Sequence, residues 1–475
     1  MDNIKNRKSI KTPSWQTITG RKTRDTNNNP KGKLNLLGLT MLGLGGAIGS
    51  GIFVASGIAV NQAGPSIILS FVIGGIISIL IMLMLAEMSV HEPASGSFSV
   101  YAGEYLGPTL GFISGWMYWM AGILTLATEM VAAALIVRYW LPSWPIWLIS
   151  LIIAVVIIGI SLLDVRAFAR VEEVLSFIKV GILVVVIGMG AILFTGLWPG
   201  LKSPGTVNYL GHGGFFPHGW PGILSSLLLV LYTYAGEQVF GPATGETQEP
   251  VKTVPRAVTI INITLVVVYL GAITTLVGII PWNQVPQNGS GFVPLFRQLD
   301  LTAISGIMNA VILSAILSAM NSNMYGVPRM LKSLAERHDA PAFLTRVDRQ
   351  GVPVAAVLIS SVFLLIVVGI SYLLPKQIFV FIASTAGVAL ILNWLIIAIT
   401  HYRFRQRVKQ NQGEKQLKYP GFPYTNIVAI VLLLVALSTS ALSQNQLVGL
   451  TVGIIILLVF AGLYFLLVKK QQLHS

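Results

Sequence analysis

The sequence contains no cysteine, which excludes disulfide bonds and thiolate sites for metals or redox chemistry. It is also poor in charge, because Asp, Glu, Lys and Arg make up only 10% of the chain whereas apolar residues make up 54%. A soluble domain cannot bury so many apolar side chains, so we expect a lipid bilayer to be the solvent. The six histidines lack metal-ligand spacing, and we expect neither a metal ion nor a cofactor.

Apolar windows of the length that a membrane span needs, about 20 residues, recur along the chain. They predict an all-α integral membrane protein with a single membrane domain at 34–468. We expect twelve transmembrane helices, at 34–60, 65–89, 107–140, 144–163, 171–196, 220–246, 256–280, 301–327, 353–374, 377–400, 424–443 and 446–468.

The cations between these windows are distributed unequally. The polar N-terminal tail, residues 1–33, carries nine Lys or Arg, and alternate loops on the same predicted side carry most of the rest of the 31. Positive charge favours the cytoplasmic side, so we expect this tail and the C-terminal tail, 469–475, to be cytoplasmic in a multi-pass cell-membrane protein. The tail lacks the pattern of a signal peptide. The clustered cations form no continuous face, so we expect no nucleic-acid partner.

A glycine-rich string, GLGGAIGSG at 43–51, lies in the middle of the first predicted span. Glycine is a poor helix former, so the string predicts a broken helix, although close packing of small residues would explain it equally well. A second interruption, around Gly236, Gly241, Pro242 and Gly245, lies within the sixth span.

Two interrupted helices five spans apart predict an inverted repeat, because an odd number of spans reverses the second copy. The repeats would cover 34–196 and 220–400, and two accessory helices would follow at 424–468. Broken helices 1 and 6 would expose backbone N–H and C=O groups at mid-membrane. N–H groups suit a carboxylate and carbonyls suit an ammonium, so an α-amino acid is the natural ligand.

Several motifs follow one another along nearly the whole chain: GAIGSGIF at 46–53, Glu87-Met88, PASGSF at 93–98, EYLGP at 104–108, GWMYW at 115–119, EMVAA at 129–133, FIKV at 177–180, GET at 245–247 with Pro250 and Pro255, Asn321-Ser322 and GVP at 351–353. In order and spacing they resemble the amino acid transporter family of the amino acid-polyamine-organocation superfamily, which includes bacterial amino acid permeases. The resemblance implies the fold of the bacterial leucine transporter.

The resemblance also implies which residues contact the substrate. Backbone groups of Ser50 and Gly51 would hold the carboxylate, and carbonyls at Ala47 and around Tyr232 and Ala235 would hold the amine. Tyr232 matches an aromatic residue that closes over the substrate in relatives, although it would also serve as a packing residue.

Thr233 lies beside Tyr232 and belongs to the same implied site. Glu237 departs from the family pattern Gly-Thr-Glu, because this chain has Gly-Glu-Gln at 236–238. Three roles remain open for Glu237: recognition of a cationic side chain, proton exchange, or bracing of the broken helix.

Three further acids lie within predicted spans. For Glu87 and Glu246, near span ends, we expect ion pairs with the basic loops in preference to substrate contact. Glu129, in an alanine-rich face of the third span, is either a satisfied interior acid or a substrate ligand.

Lys179 lies inside the fifth span, where an ammonium is costly. It would either extend to the interface or pair with an acid, but in some proton-coupled relatives a lysine here replaces a sodium ion. The resemblance therefore implies proton coupling through Lys179.

The sequence thus predicts a secondary transporter that imports an amino acid, with the substrate, a proton and the bilayer as partners. Ala121 replaces a glutamate of cationic-amino-acid carriers, which favours a neutral substrate. Alternatives are an exchanger, or a carrier of cationic amino acids or polyamines recognised by Glu237. An enzyme is disfavoured because the sequence shows no nucleophile with its base and no paired catalytic acids.

Overall fold

The computed structural model describes residues 34–94, 96–162, 165–197, 203–287, 290–294, 302–349, 351–373, 378–410 and 421–468. The two predicted tails lie outside these residues. So do several loop residues used in the charge argument, which include Lys202, Arg297, Lys376 and the cations at 411–420.

The described residues form an all-helical protein, in which one isolated bridge between Leu34 and Thr247 is the only extended pairing. The α-helices are α1 (Leu36–Ala47), α2 (Ser56–Ala63), α3 (Ile67–His91), α4 (Ser97–Tyr105), α5 (Pro108–Val137), α6 (Ile146–Ser161), α7 (Val165–Phe194), α8 (Val207–Leu210), α9 (Gly219–Ala235), α10 (Phe240–Ala243), α11 (Pro250–Ile279), α12 (Thr302–Glu336), α13 (Val354–Leu373), α14 (Ile378–Gln410), α15 (Tyr424–Thr439) and α16 (Gln444–Leu463).

Most of these helices have the length and composition of membrane spans. Within the described part of the chain, nine helical segments are long and apolar enough to cross a bilayer, and α6 and α13 contribute two shorter apolar helices. The Leu36–His91 segment is bent at a short 3₁₀ turn, Gly64–Ser66, between α2 and α3. The chain is therefore a multi-pass membrane protein.

Local sequence signals explain several helix ends. The side chain of Asn35 accepts a hydrogen bond from the Gly38 N–H at 2.8 Å, which caps the start of α1. Pro108 begins α5, where its missing N–H costs nothing. These signals are short-range, which is why helix positions follow closely from sequence.

The interrupted first helix is packed in the centre of the bundle. α1 contacts α7, α11 and α12, and the long helix α5 packs against α12 and α14. In contrast, most apolar residues of α15 and α16 are only partly buried or exposed, as expected of helices that face lipid. The centre of the bundle therefore holds the residues that the sequence singled out.

The predicted break in the first span is present. α1 ends at Ala47, Ile48 has an extended ψ of 91°, and the chain resumes as a π-helix over Gly51–Ala55 before α2. A residue with this ψ cannot continue the i to i−4 hydrogen-bond ladder. Backbone groups near the break are consequently left for other partners.

The second interruption lies where the glycines predicted it, but its form differs from the expected unwound segment. After α9 the backbone continues through a 3₁₀ turn (Gly236–Val239), the four-residue α10 and a second 3₁₀ turn (Thr244–Glu246). The capping residues keep right-handed helical dihedrals, so the helix tightens instead of opening. Fewer backbone groups are therefore freed here than at the first break.

The two interruptions touch each other through glycine. A Cβ atom placed on Gly236 would lie 2.1 Å from the carbonyl oxygen of Gly46, and one placed on Gly46 would lie 2.5 Å from the carbonyl oxygen of Gly236. Both distances are too short for any side chain, so only glycine permits this backbone crossing.

Candidate functional site

The break in the first helix leaves the Ser50 N–H without a partner in its own helix, and Glu129 of α5 takes it. Its two carboxylate oxygens accept from the Ser50 nitrogen at 3.2 and 2.9 Å. The Glu129 side chain is only 3% exposed. The donor that the resemblance assigns to a substrate carboxylate therefore faces a carboxylate of the protein itself.

On the other side of the break, the carbonyl of Ala47 is also engaged. The hydroxyl of Tyr269, from α11, donates to the Ala47 oxygen at 2.9 Å and lies 3.4 Å from the carbonyl oxygen of Thr233. Tyr269 thus links the two interrupted helices. The sequence offered no motif that singled out this tyrosine.

Tyr232 and Thr233 lie directly against the first break. The Tyr232 and Ser50 hydroxyls are 3.3 Å apart, and both side chains are buried. The Thr233 hydroxyl donates to the Leu229 carbonyl in its own helix at 2.9 Å, so the hydroxyl is engaged away from the break while the side-chain methyl group lies against Gly51. A Cβ on Gly51 would lie 2.8 Å from the Thr233 Cα, which shows how closely the two segments pack.

Ala235 is buried at the end of α9, next to the Gly236 crossing. The structure therefore brings Ala47, Ser50, Gly51, Tyr232 and Thr233 together.

Lys179 lies beneath the break and is fully buried, so it does not extend to the membrane surface. Its Nζ donates to the carbonyl oxygen of Gly45 at 2.7 Å, and a second carbonyl, Ile48, lies 3.4 Å away. The third neighbour is Glu172, at 3.6 Å. Three acceptors from α1, the break and α7 therefore surround this ammonium, as around a bound cation.

Glu172 connects this cluster to α12 and was not singled out by the sequence analysis. It accepts hydrogen bonds from Ser318 at 2.5 Å, Ser176 at 3.1 Å and Asn321 at 3.3 Å. Glu172 precedes Lys179 by seven residues, which is two helical turns and places both on one face of α7. That spacing was a signal in the sequence for a buried pair.

Glu237 contacts α3 instead of the residues around Ser50. The Ser78 hydroxyl donates to its Oε1, while its Oε2 has no hydrogen-bond partner among the described residues. Its side chain is fully buried. The predicted grouping of Glu237 with Ser50 and Tyr232 therefore does not appear in these contacts.

The two acids near span ends form ion pairs, as expected. Arg329 lies 3.0 Å from Glu246, which also accepts from the Tyr325 hydroxyl at 2.5 Å. Glu87 lies 3.1 Å from Arg405 and 2.9 Å from a ring nitrogen of His401. Their cations come from α12 and α14, not from loops, and tie separate helices together at one end of the bundle.

A cavity of about 340 Å³ opens elsewhere, at the other end of α5. Arg138, Tyr139, Ser290 and Asn309 are among its lining residues, and none of the predicted site residues lines it. The residues around Ser50 are instead packed against one another, because side chains of Glu129 and Tyr269 fill the space at the break.

The family profile described as amino acid permease matches residues 38–473. The γ-aminobutyric acid permease of Bacillus subtilis is 34% identical over 433 residues, covering 90% of this chain and 92% of that protein. The aromatic amino acid transport protein AroP of Salmonella typhimurium is 35% identical over 396 residues, covering 83% of this chain and 86% of its own length.

A crystal structure of a manganese transporter from Eremococcus coleocola, in complex with an aromatic bis-isothiourea substituted compound, superposes with a TM-score of 0.58. The superposition covers 93% of this chain and 95% of the manganese transporter. The sequence identity is only 15%, so the similarity concerns the fold alone.

Proposed function

This chain belongs to the amino acid permease family, and we propose that it is a proton-coupled importer of a neutral amino acid. Membership makes it an amino acid transporter and not an enzyme. One observation carries the proposed mechanism: a buried break in the first helix holds the Ala47 carbonyl and the Ser50 N–H three residues apart, with Tyr269 against the carbonyl and Tyr232 against the Ser50 side chain. An N–H donor and a carbonyl acceptor in close sequence match the two ends of an amino acid.

The proposal of a neutral substrate rests on Ala121, which stands where the resemblance allows a glutamate in carriers of cationic amino acids. Ala121, in the buried face of α5, adds neither charge nor hydrogen-bonding capacity. The relatives named above are a γ-aminobutyric acid permease and an aromatic amino acid transport protein. We define the substrate panel as the common L-amino acids plus γ-aminobutyric acid.

Proton coupling is proposed through Lys179. Its Nζ is bound by carbonyls of Gly45 and Ile48 and faces Glu172, so a cation here holds the first break to α7 and α12. Loss of the proton would remove that electrostatic link, and the break would then be free to move. A protonated Lys179 would thus take the place that a bound sodium ion has in sodium-coupled relatives.

The proposed topology has twelve spans with both termini cytoplasmic. The Leu36–His91 segment supplies two of them, separated at the Gly64–Ser66 turn, and α6 and α13 supply the two short ones. The two interrupted helices begin the proposed inverted repeats, 34–196 and 220–400, and α15 and α16 are accessory. The contact between Gly46 and Gly236 at the crossing supports this pairing of repeats.

One observation favours a second candidate, a carrier of cationic amino acids or polyamines. Glu237 is buried and its Oε2 lacks a hydrogen-bond partner among the described residues, so it has capacity for a cationic group. Stabilisation by arginine, lysine or spermidine that is lost in Glu237→Gln would favour this candidate over the neutral one.

Binding is tested by thermal unfolding of the purified protein with each panel member. A ligand present at about 100 times its dissociation constant adds roughly 2.7 kcal/mol of stability. We expect at least one neutral panel member to stabilise the protein, and stabilisation by none would refute the proposal.

Coupling is tested by uptake into proteoliposomes under an acid-outside pH gradient without sodium. We expect Lys179→Ala to lose accumulation while it still binds substrate at equilibrium. The control is Lys252→Ala, because Lys252 is 71% exposed and its ion-pair partner, Glu249, lies three residues away on the same exposed segment. Accumulation by Lys179→Ala equal to that of Lys252→Ala would refute the role of Lys179.

A further inference from the structure

The Glu129 carboxylate stands where the proposed site would receive the carboxylate of an amino acid. Both of its oxygens lie within hydrogen-bond distance of the Ser50 nitrogen, at 2.9 and 3.2 Å. A Cβ atom on Gly49 would lie 2.6 Å from Glu129 Oε1, so only a glycine at that position lets the carboxylate approach the break. The Glu129 carboxylate thus accepts the hydrogen bond that the Ser50 N–H would otherwise donate to the substrate.

The charge of Glu129 has no ion-pair partner among the described residues. The charge of Lys179 acts on Glu129 through space, but Lys179 makes its ion pair with Glu172 and its hydrogen bonds with carbonyls at the first break. The other titratable groups that face Glu129 are the phenols of Tyr232, from α9, and Tyr269, from α11. Neither phenol offers a positive charge.

A second carboxylate at Ser50 would therefore meet, in a buried site, a negative charge that no direct ion pair among the described residues neutralises. Two carboxylates that share one site cannot both remain ionised there, and one of them takes up a proton. The substrate carboxylate is the weaker base of the two in water, because α-carboxyl groups ionise at lower pH than glutamate side chains. The proton then resides on Glu129.

We propose that Glu129 is an internal competitor of the substrate carboxylate, and that a substrate molecule binds at Ser50 only when Glu129 has taken up one proton. The hydrogen bond from the Ser50 N–H to Glu129 breaks, a proton from solution adds to one Glu129 oxygen, and the Ser50 N–H then donates to the substrate. This inference rests on the proposed substrate site at Ser50 but not on the role of Lys179.

Proton uptake on substrate binding is the direct test. Wild-type protein in weakly buffered detergent solution with a pH indicator is mixed with the tightest-binding member of the substrate panel. In the alkaline range, where Glu129 of the free protein is ionised, we expect about one proton to be taken up per bound molecule and the apparent dissociation constant to rise about tenfold for each pH unit. Binding without proton uptake would overturn the inference, and this result needs no variant to fold.

Variants then locate the proton. Glu129→Gln replaces the carboxylate by a neutral group of the same shape, so we expect binding that is independent of pH and takes up no proton. The control is Glu249→Gln, which removes an exposed carboxylate paired with Lys252 and should keep the wild-type proton uptake. Glu237→Gln tests the competing location, because it removes the other buried carboxylate that is incompletely hydrogen-bonded among the described residues.

The outcomes separate the two proposals. If no panel member binds the wild-type protein, the proposed function fails and this inference fails with it. If substrate binds and proton uptake persists in Glu129→Gln, the proposed function stands and Glu129 is not the competitor. Loss of uptake in Glu237→Gln but not in Glu129→Gln would likewise overturn the inference.

Discussion

Adding a single methyl group at the crossing of the two interrupted helices tests whether transport depends on their contact. In Gly236→Ala the new Cβ would begin 2.1 Å from the Gly46 carbonyl oxygen and 2.7 Å from its carbonyl carbon. Both are backbone atoms, so no side-chain rotation relieves the clash. To reach a 3.0 Å contact the two backbones must separate by roughly 0.9 Å.

Overpacking of this kind costs about 1–3 kcal/mol of stability. A displacement of about 1 Å at a site that positions a reacting or bound group costs on the order of 100-fold in rate. We therefore expect Gly236→Ala to lose one to two orders of magnitude in initial uptake rate, with a smaller loss in thermal stability, because the separation displaces Ala47 next to Gly46.

Gly181→Ala is the matched control. It adds the same methyl group to a glycine in α7, where an ideal Cβ meets no atom within 4 Å. Replacing a helical glycine in open space is neutral or slightly stabilising. Both variants are purified, their unfolding temperatures are measured, and uptake of the tightest panel member is followed in proteoliposomes. Equal uptake by the two variants would refute the claim that the crossing positions the site.

Two further predictions concern buried and half-buried acids. Glu172→Gln should unfold at a lower temperature than the control Glu173→Gln, because it leaves the buried Lys179 without its ion-pair partner. Such a loss typically lowers the free energy of unfolding by about 3–5 kcal/mol. Equal unfolding temperatures of the two variants would contradict this prediction. Outside the spans, burial and the neighbouring carboxylate of Glu92 raise the pKa of Glu104 to about 7 from its ordinary 4.5. Between pH 4.5 and about pH 7 the folded protein therefore binds more protons at Glu104 than the unfolded chain does. The contribution of Glu104 to the free energy of unfolding consequently falls as the pH rises from 4.5 to about 7. Glu104→Gln should be more stable than wild type above pH 7, with the difference vanishing in acid, as measured by thermal unfolding at several pH values; a difference that does not change with pH would refute this assignment.

Local features of the fold were predictable from the sequence. Apolar windows located the helices because a span needs a continuous apolar run, and the glycines at 43–51 located the first break because glycine weakens helices. The sixth helix shows the limit of such reasoning. Its glycines and Pro242 predicted unwinding, yet 3₁₀ turns accommodate them with helical dihedrals.

The contacts that complete the site were not predictable in this way. Glu129 and Ser50 are 79 residues apart, and Tyr269 and Ala47 are 222 residues apart. Hydrophobic periodicity and motif spacing describe neighbours within one helix. They do not predict contacts between side chains of different helices that are so far apart in sequence. Glu172 lies at the polar start of a predicted span, so hydropathy does not distinguish it from a loop residue. Its seven-residue spacing from Lys179 is the sequence signal that indicates a buried ion pair.

We propose that this permease accumulates an amino acid by means of a proton gradient. The corresponding experiment measures uptake of the radiolabelled panel into wild-type proteoliposomes with an acid-outside pH gradient, no sodium and no amino acid inside. We expect at least one neutral amino acid to accumulate above its external concentration, and a protonophore to abolish this accumulation. Uptake that requires sodium, or that occurs only when the vesicles are preloaded with an exchange partner, would refute proton-driven import.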